Sequence, residues 1–134
     1  MPLPRNVLII DDEPHVRTFI RMLLKQMGIA QFIEASNGRD GVELYKLHTP
    51  DFVLMDINMP VMDGLETLRQ IQEYDPEALS VMMTAEATRS AVETSGRLGA
   101  LQFIRKDTGK DQIQAILGDL FEEFFGDENT KENA

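Results

Sequence analysis

The sequence has no cysteine, no apolar run long enough to cross a bilayer, and few cations, with 13 Lys and Arg against 23 Asp and Glu in 134 residues. Without cysteine there are no disulfide staples and no thiolate metal site, so stability has to come from packing, and a reducing compartment suits the chain. A bilayer span needs roughly 20 consecutive apolar residues. The opening MPLPRNVLII also lacks a signal-peptide layout, because its apolar run is short and leads directly into Asp11 and Asp12. The expected location is the cytoplasm, with no membrane partner. A net charge of −10 argues against direct nucleic-acid binding, which needs basic patches to displace counterions from phosphates. It suits a metal cation or a basic protein partner better.

What is present is enough apolar content, 43%, for one hydrophobic core. Short β-rich runs, NVLII (6–10), QFIEA (31–35), FVLM (52–55), LSVMMT (79–84) and LQFI (101–104), alternate with segments of helical period. Val16, Phe19, Ile20, Leu23, Leu24 and Met27 share one helical face before Gly28. Val42, Leu44, Tyr45 and Leu47 mark a second helix behind Asn37, and Leu65, Leu68 and Ile71 a third. Asp63 with Glu66 opens that third helix at capping-box spacing. Ala91, Val92, Ser95 and Leu98 suggest a fourth helix. The fifth runs from Ile113 through Phe121, Phe124 and Phe125 to Gly126, and its aromatics read as core. Five strands alternating with five helices, without hairpin signals, predict a doubly wound α/β domain with a five-stranded parallel sheet. One domain is expected over residues 1–125, followed by an acidic disordered tail over 126–134.

In such a sheet, ligands sit beyond the carboxyl ends of the strands. The first strand ends in Asp11 and Asp12, the third in Asp56 and the fourth in Thr84, and Lys106 closely follows the fifth. A single strand-end Asp is more often a turn former than a ligand. Three converging carboxylates are another matter, because they repel unless protonated or held by a cation. Oxygen donors without His or Cys suit Mg²⁺, which leaves room for a substrate phosphate. Thr84 offers a hydrogen-bond donor and Lys106 a positive charge to incoming phosphoryl oxygens.

The stretches LIIDDEP (8–14), LMDINMPVMDG (54–64), MMTAEA (82–87) and GALQFIRK (99–106) resemble the CheY-like receiver domains of bacterial two-component response regulators, over about residues 5–125. The resemblance implies a flavodoxin-like sheet of order 2-1-3-4-5. It implies Asp56 as phosphoacceptor and nucleophile, taking a phosphoryl group from a sensor histidine kinase or phosphotransfer protein. Mg²⁺ would be held by Asp11, Asp12, Asp56 and the backbone carbonyl of Asn58, and Thr84 and Lys106 would grip the phosphoryl group. Thr84 and Phe103 would act as the switch, reshaping the face of the fourth helix, fifth strand and fifth helix for a downstream target protein. Asn58 and Glu86 stand where the family tunes dephosphorylation. The chain would then promote its own phosphorylation and slow dephosphorylation while serving chiefly as a signalling switch, as a monomer or a phosphorylation-dependent dimer.

One departure is Asp107, where the family usually has a proline in a cis peptide; a cis bond there would cost about 3 kcal/mol, so the expectation is a trans or strained loop. Asp107 is also placed to pair with Lys106. His15 and His48 read as solvated bystanders, and NGRDG (37–41) lacks the lysine-serine pattern of a phosphate loop. An Mg-dependent aspartyl-phosphate phosphatase fits less well, since Asn58 stands where its second Asp would be. A flavodoxin-like FMN carrier is disfavoured because DDEPH would repel its phosphate. The expected context is a stand-alone regulator in chemotaxis or a phosphorelay, with the receiver part of a longer, DNA-binding regulator as the alternative.

Overall fold

The computed structural model describes residues 2–126, so the expected tail, apart from Gly126, lies outside the described residues. Ten elements alternate along the chain: β1 (Asn6–Ile10), α1 (Pro14–Gln26), β2 (Gln31–Ala35), α2 (Gly38–His48), β3 (Phe52–Met55), α3 (Gly64–Tyr74), β4 (Ser80–Thr84), α4 (Arg89–Arg97), β5 (Gln102–Arg105) and α5 (Lys110–Phe125). The strands pair in parallel in the order β2-β1-β3-β4-β5. That is the flavodoxin-like order the resemblance implies.

Strand side chains alternate between two faces, and the two cores follow that alternation. Val7 and Ile9 pack with Leu54, Val81 and Ile104 under α1 and α5, which contribute Leu23, Leu24, Ile113, Leu117 and Phe121. Leu8 and Ile10 face the other way, toward Val42 and Tyr45 of α2 and Leu68 and Ile71 of α3. The central strands β1, β3 and β4 are therefore buried on both sides, which explains their unbroken apolar runs. Phe121 meets Phe52 edge-on at 5.0 Å, a geometry that adds about 0.5–1.5 kcal/mol beyond area burial.

Three apolar residues of the expected helical patterns face solvent instead, one of them Val92 of α4. On α2 the buried stripe is Gly38, Gly41, Val42 and Tyr45, and Leu47, two residues past Tyr45, points away at 74% exposure. On α5 the stripe steps by four through Ile113, Leu117 and Phe121 to Phe125, which leaves Phe124 exposed. β4 starts one residue later than expected, and β5 is displaced by one, because Leu101 only begins the pairing by donating its N–H to Ser80 O. Gly28 ends α1 with φ of 107°, a conformation that glycine adopts without steric cost. Asp63 caps α3 by accepting from Glu66 N–H at 2.9 Å, while the Glu66 carboxylate turns to Arg69 and Gln70 instead of completing the box.

The β3–α3 loop contains one unfavourable backbone conformation. Val61 has φ of 72°, a left-handed position that costs a β-branched residue about 1–2 kcal/mol. Its side chain is 69% exposed, so little packing offsets the strain. Val61→Asn is expected to raise the unfolding free energy in urea titration by about 1 kcal/mol, since Asn tolerates this region.

Candidate functional site

The site residues are pinned by the sheet. Asp11 N–H donates to Ala35 O (3.0 Å), Asp56 N–H to Ile10 O (2.9 Å) and Lys106 N–H to Thr84 O (2.8 Å). Each lies one residue past its strand yet stays on the hydrogen-bond ladder, so three side chains project from a rigid edge. Asp11, Asp56 and Thr84 are all at most 4% exposed. Lys106 Nζ reaches Asp11 Oδ2 at 2.9 Å, Asp56 Oδ2 at 3.0 Å and Glu13 Oε1 at 3.3 Å. Sequence reading placed Asp11, Asp12, Asp56, Thr84 and Lys106 at one edge, and the structure brings them there. It missed Glu13, whose only sequence signal is its place as the third acid of DDEP. Asp11, Asp12, Glu13 and Asp56 each bring a carboxylate oxygen within 4.8 Å of the others.

Burial and charge compete within this cluster. Burial raises the Asp11 carboxyl above its ordinary range, and the Lys106 ammonium beside it and the hydrogen bond from the Glu13 amide only partly oppose it. Burial also works against the Lys106 charge, but the two carboxylates outweigh it and hold the ammonium above its usual value. The asymmetry has a geometric cause, since one ammonium is shared among three acids. Asp56 Oδ1 accepts from Ile57 N–H at 2.7 Å and Oδ2 from Lys106. Asp11 Oδ1 accepts from Glu13 N–H at 2.9 Å. Asp11 Oδ2 is buried without a well-aligned hydrogen bond, although the ammonium lies close by. An oxygen-only donor set with one unsatisfied buried lone pair and exposed Asp12 at its mouth fits a hard divalent cation.

Close backbone packing fixes the loop that follows the central acid. Gly64 N–H donates to Ile57 O at 2.7 Å, and a Cβ on Gly64 would fall 2.0 Å from Asp56 O. Asn58 and Glu86 are exposed on the loops after Asp56 and Thr84. Glu86 N–H donates to Thr84 Oγ1 over a long 3.4 Å. Phe103 is half-buried against the α2–α3 side of the core and lines a hollow of about 170 Å³ between α4 and β5.

The expected Asp107–Lys106 pair does not form. Asp107 turns back to grip Arg105 in a fork of 3.1 and 3.0 Å, while Lys106 points into the acid cluster. Adjacent residues leaving a strand project to opposite sides, so Lys106 and Asp107 diverge. The peptide between them is trans, as are all peptides among the described residues. His48 is exposed, whereas His15 is less of a bystander than expected, lying 3.6 Å from Glu13 and beside Lys106 in an apolar hollow with Val16, Phe19 and Met83. No helix among the described residues is long and apolar enough to cross a membrane.

The chain has relatives among known proteins in both sequence and fold. The chain is 38% identical over 111 residues to the chemotaxis protein CheY of Bacillus subtilis, covering 83% of this chain and 92% of that one. It is 34% identical to the nitrate/nitrite response regulator NarL of Escherichia coli, covering 87% of this chain and 57% of NarL. Among solved structures, the CheX–CheY–BeF3–Mg²⁺ complex of Borrelia burgdorferi aligns with a TM-score of 0.84 at 30% identity, covering 89% of this chain and 90% of that one. Residues 7–118 match the response regulator receiver domain, and the chain belongs to that family of CheY-like signalling switches.

Proposed function

We propose that Asp56 accepts a phosphoryl group from a phosphohistidine on a sensor kinase or phosphotransfer protein. The observation that carries this reading is the convergence of Lys106 Nζ on the buried Asp11 and Asp56 carboxylates within 3.0 Å, at the ends of three different strands. An Asp56 oxygen attacks phosphorus, the P–N bond breaks, and the electron pair leaves on the imidazole nitrogen. Little other covalent chemistry is required, so positioning and charge neutralisation supply most of the rate.

Asp11, Asp12, Asp56 and the Asn58 carbonyl would hold Mg²⁺, which, when bound, neutralises charge on the acids and on the transferring phosphoryl oxygens. Lys106 passes from the Asp56 carboxylate to a phosphoryl oxygen. Thr84, whose hydroxyl accepts only the long bond from Glu86 N–H, donates to a second. The pull on Thr84 vacates space behind β4, and Phe103 turns into it, changing the α4–β5–α5 face offered to a target protein. α4 suits such a shift, since Ser95 is the one residue it buries fully. Asn58 and Glu86, exposed on either side of the acceptor, set how readily water reaches the phosphoryl group. The test is transfer itself: a small acyl phosphate adds one phosphoryl group to the wild type and none to Asp56→Asn.

A second context is favoured by the NarL match, which covers 57% of that longer regulator. In that reading the same switch controls an attached effector domain such as a DNA-binding one, and the site chemistry is unchanged.

A further inference from the structure

The polar atoms of Asp11 are almost all committed. Its N–H is held by Ala35 O of β2, Oδ1 by the Glu13 amide, and its carbonyl oxygen by Arg17 Nη1 at 2.5 Å. Arg17 lies one turn into α1, is only 17% exposed in its side chain, and donates through Nε to Glu34 Oε1 at 3.1 Å. Glu34 is held in turn by Arg21, a turn further along α1. Two successive residues of β2 therefore grip the end of β1. Ala35 does so directly through its backbone, and Glu34 does so through the Arg17 guanidinium.

We propose that Arg17, held by Glu34, is a positioning residue that fixes the Asp11–Glu13 turn so that Asp11 Oδ2 is presented to a divalent cation. The planar guanidinium suits this task because its fork reaches two acceptors at once, one on each strand. Were the carbonyl released, the peptide after Asp11 could rotate, and Asp11 Oδ2 would lose its fixed direction beside Asp56. Residues that orient ligands typically change metal affinity by about 10–100-fold when lost. Arg17 acts on a ligand's backbone and not on its carboxylate, so about five- to tenfold is expected here.

This inference rests on the proposed Mg²⁺ site, and the experiment separates the two. Isothermal titration with MgCl2 is run on the full chain as wild type, Arg17→Ala, Arg17→Lys, Glu34→Gln and Thr18→Ala, with urea unfolding of each. Arg17→Ala is expected to weaken Mg²⁺ binding about five- to tenfold, Glu34→Gln less, and Arg17→Lys only partly to restore it, with Thr18→Ala unchanged. Phosphoryl uptake by Arg17→Ala is expected to recover as Mg²⁺ is raised to saturation, a shift in the Mg²⁺ requirement more than in the maximal rate. Wild-type Mg²⁺ affinity in a folded Arg17→Ala protein would overturn the positioning role and leave the metal site standing. An Arg17→Ala loss of affinity matched in full by a lower maximal rate at saturating Mg²⁺ would also overturn it. Absence of Mg²⁺ binding in the wild type would overturn the metal site itself.

Discussion

Gly64→Ala is expected to lose both stability and phosphoryl uptake. The added methyl would sit 2.0 Å from the Asp56 carbonyl oxygen and 2.7 Å from Ile57 Cα, and backbone cannot yield as the end of a flexible side chain can. The loop must move away from α3, breaking the 2.7 Å bond from Gly64 N–H to Ile57 O. Overpacking of this kind costs about 1–3 kcal/mol, and the lost bond puts the expectation at about 3 kcal/mol by urea unfolding. The displaced segment carries Asp56, and a misplacement of about 1 Å can cost roughly a hundredfold in rate. Uptake from an acyl phosphate should fall by about that factor. Gly96→Ala is the control, because a Cβ there meets nothing within 4 Å on an exposed turn of α4. It should gain about 0.5–1 kcal/mol from helix propensity and leave uptake unchanged.

Lys106→Met is expected to destabilise the protein in a way that depends on pH and Mg²⁺. The variant keeps an apolar stem but leaves Asp11 and Asp56 buried without their shared ammonium. Removing one partner of a fully buried pair costs about 3–5 kcal/mol. The mouth of this site is open through Asp12 and Glu13, so about 2 kcal/mol at neutral pH is a fairer figure. Asp11 already titrates above the ordinary carboxylate value of 3.8 because it is buried. Losing the lysine removes the positive charge that opposes this and raises it further. A carboxyl whose folded pKa exceeds its unfolded one binds its proton more tightly when folded. The destabilisation should therefore be small below about pH 4, grow as pH rises toward the folded pKa, and level off above it. Millimolar Mg²⁺ should reverse part of it by supplying the missing charge. Urea titrations at pH 4 and pH 7, with and without Mg²⁺, check each sign, and a pH-independent loss would contradict the electrostatic account.

Much of this fold and site is legible in the amino-acid sequence. Central strands buried on both faces must be apolar throughout, so β1, β3 and β4 announced themselves, and parallel crossovers send every strand's carboxyl end to one edge. Asp11, Asp56, Thr84 and Lys106 followed from that rule alone. Features that depend on side-chain direction were not readable. Glu13 contacts Lys106 across 93 residues of sequence, and DDEP does not say which way its third acid turns. Asp107 could have faced Lys106 or Arg105, and only the course of the chain leaving β5 decides it. The amphipathic pattern overreached at Leu47 and Phe124, where a helix resting on a flat sheet buries a narrower stripe than its apolar residues would fill. The need for Gly64 comes from the approach of α3 to the Asp56 loop, a tertiary fact with no local signature beyond the Asp-Gly pair.

Phosphoryl acceptance at Asp56 is tested most sharply by intact mass after incubation with a small acyl-phosphate donor, with and without Mg²⁺, on the wild type and on Asp56→Asn. The wild type should gain one phosphoryl group only when Mg²⁺ is present, and Asp56→Asn should gain none. A gain that persists in Asp56→Asn, or none in a wild type that binds Mg²⁺, would rule out Asp56 as the phosphoryl acceptor.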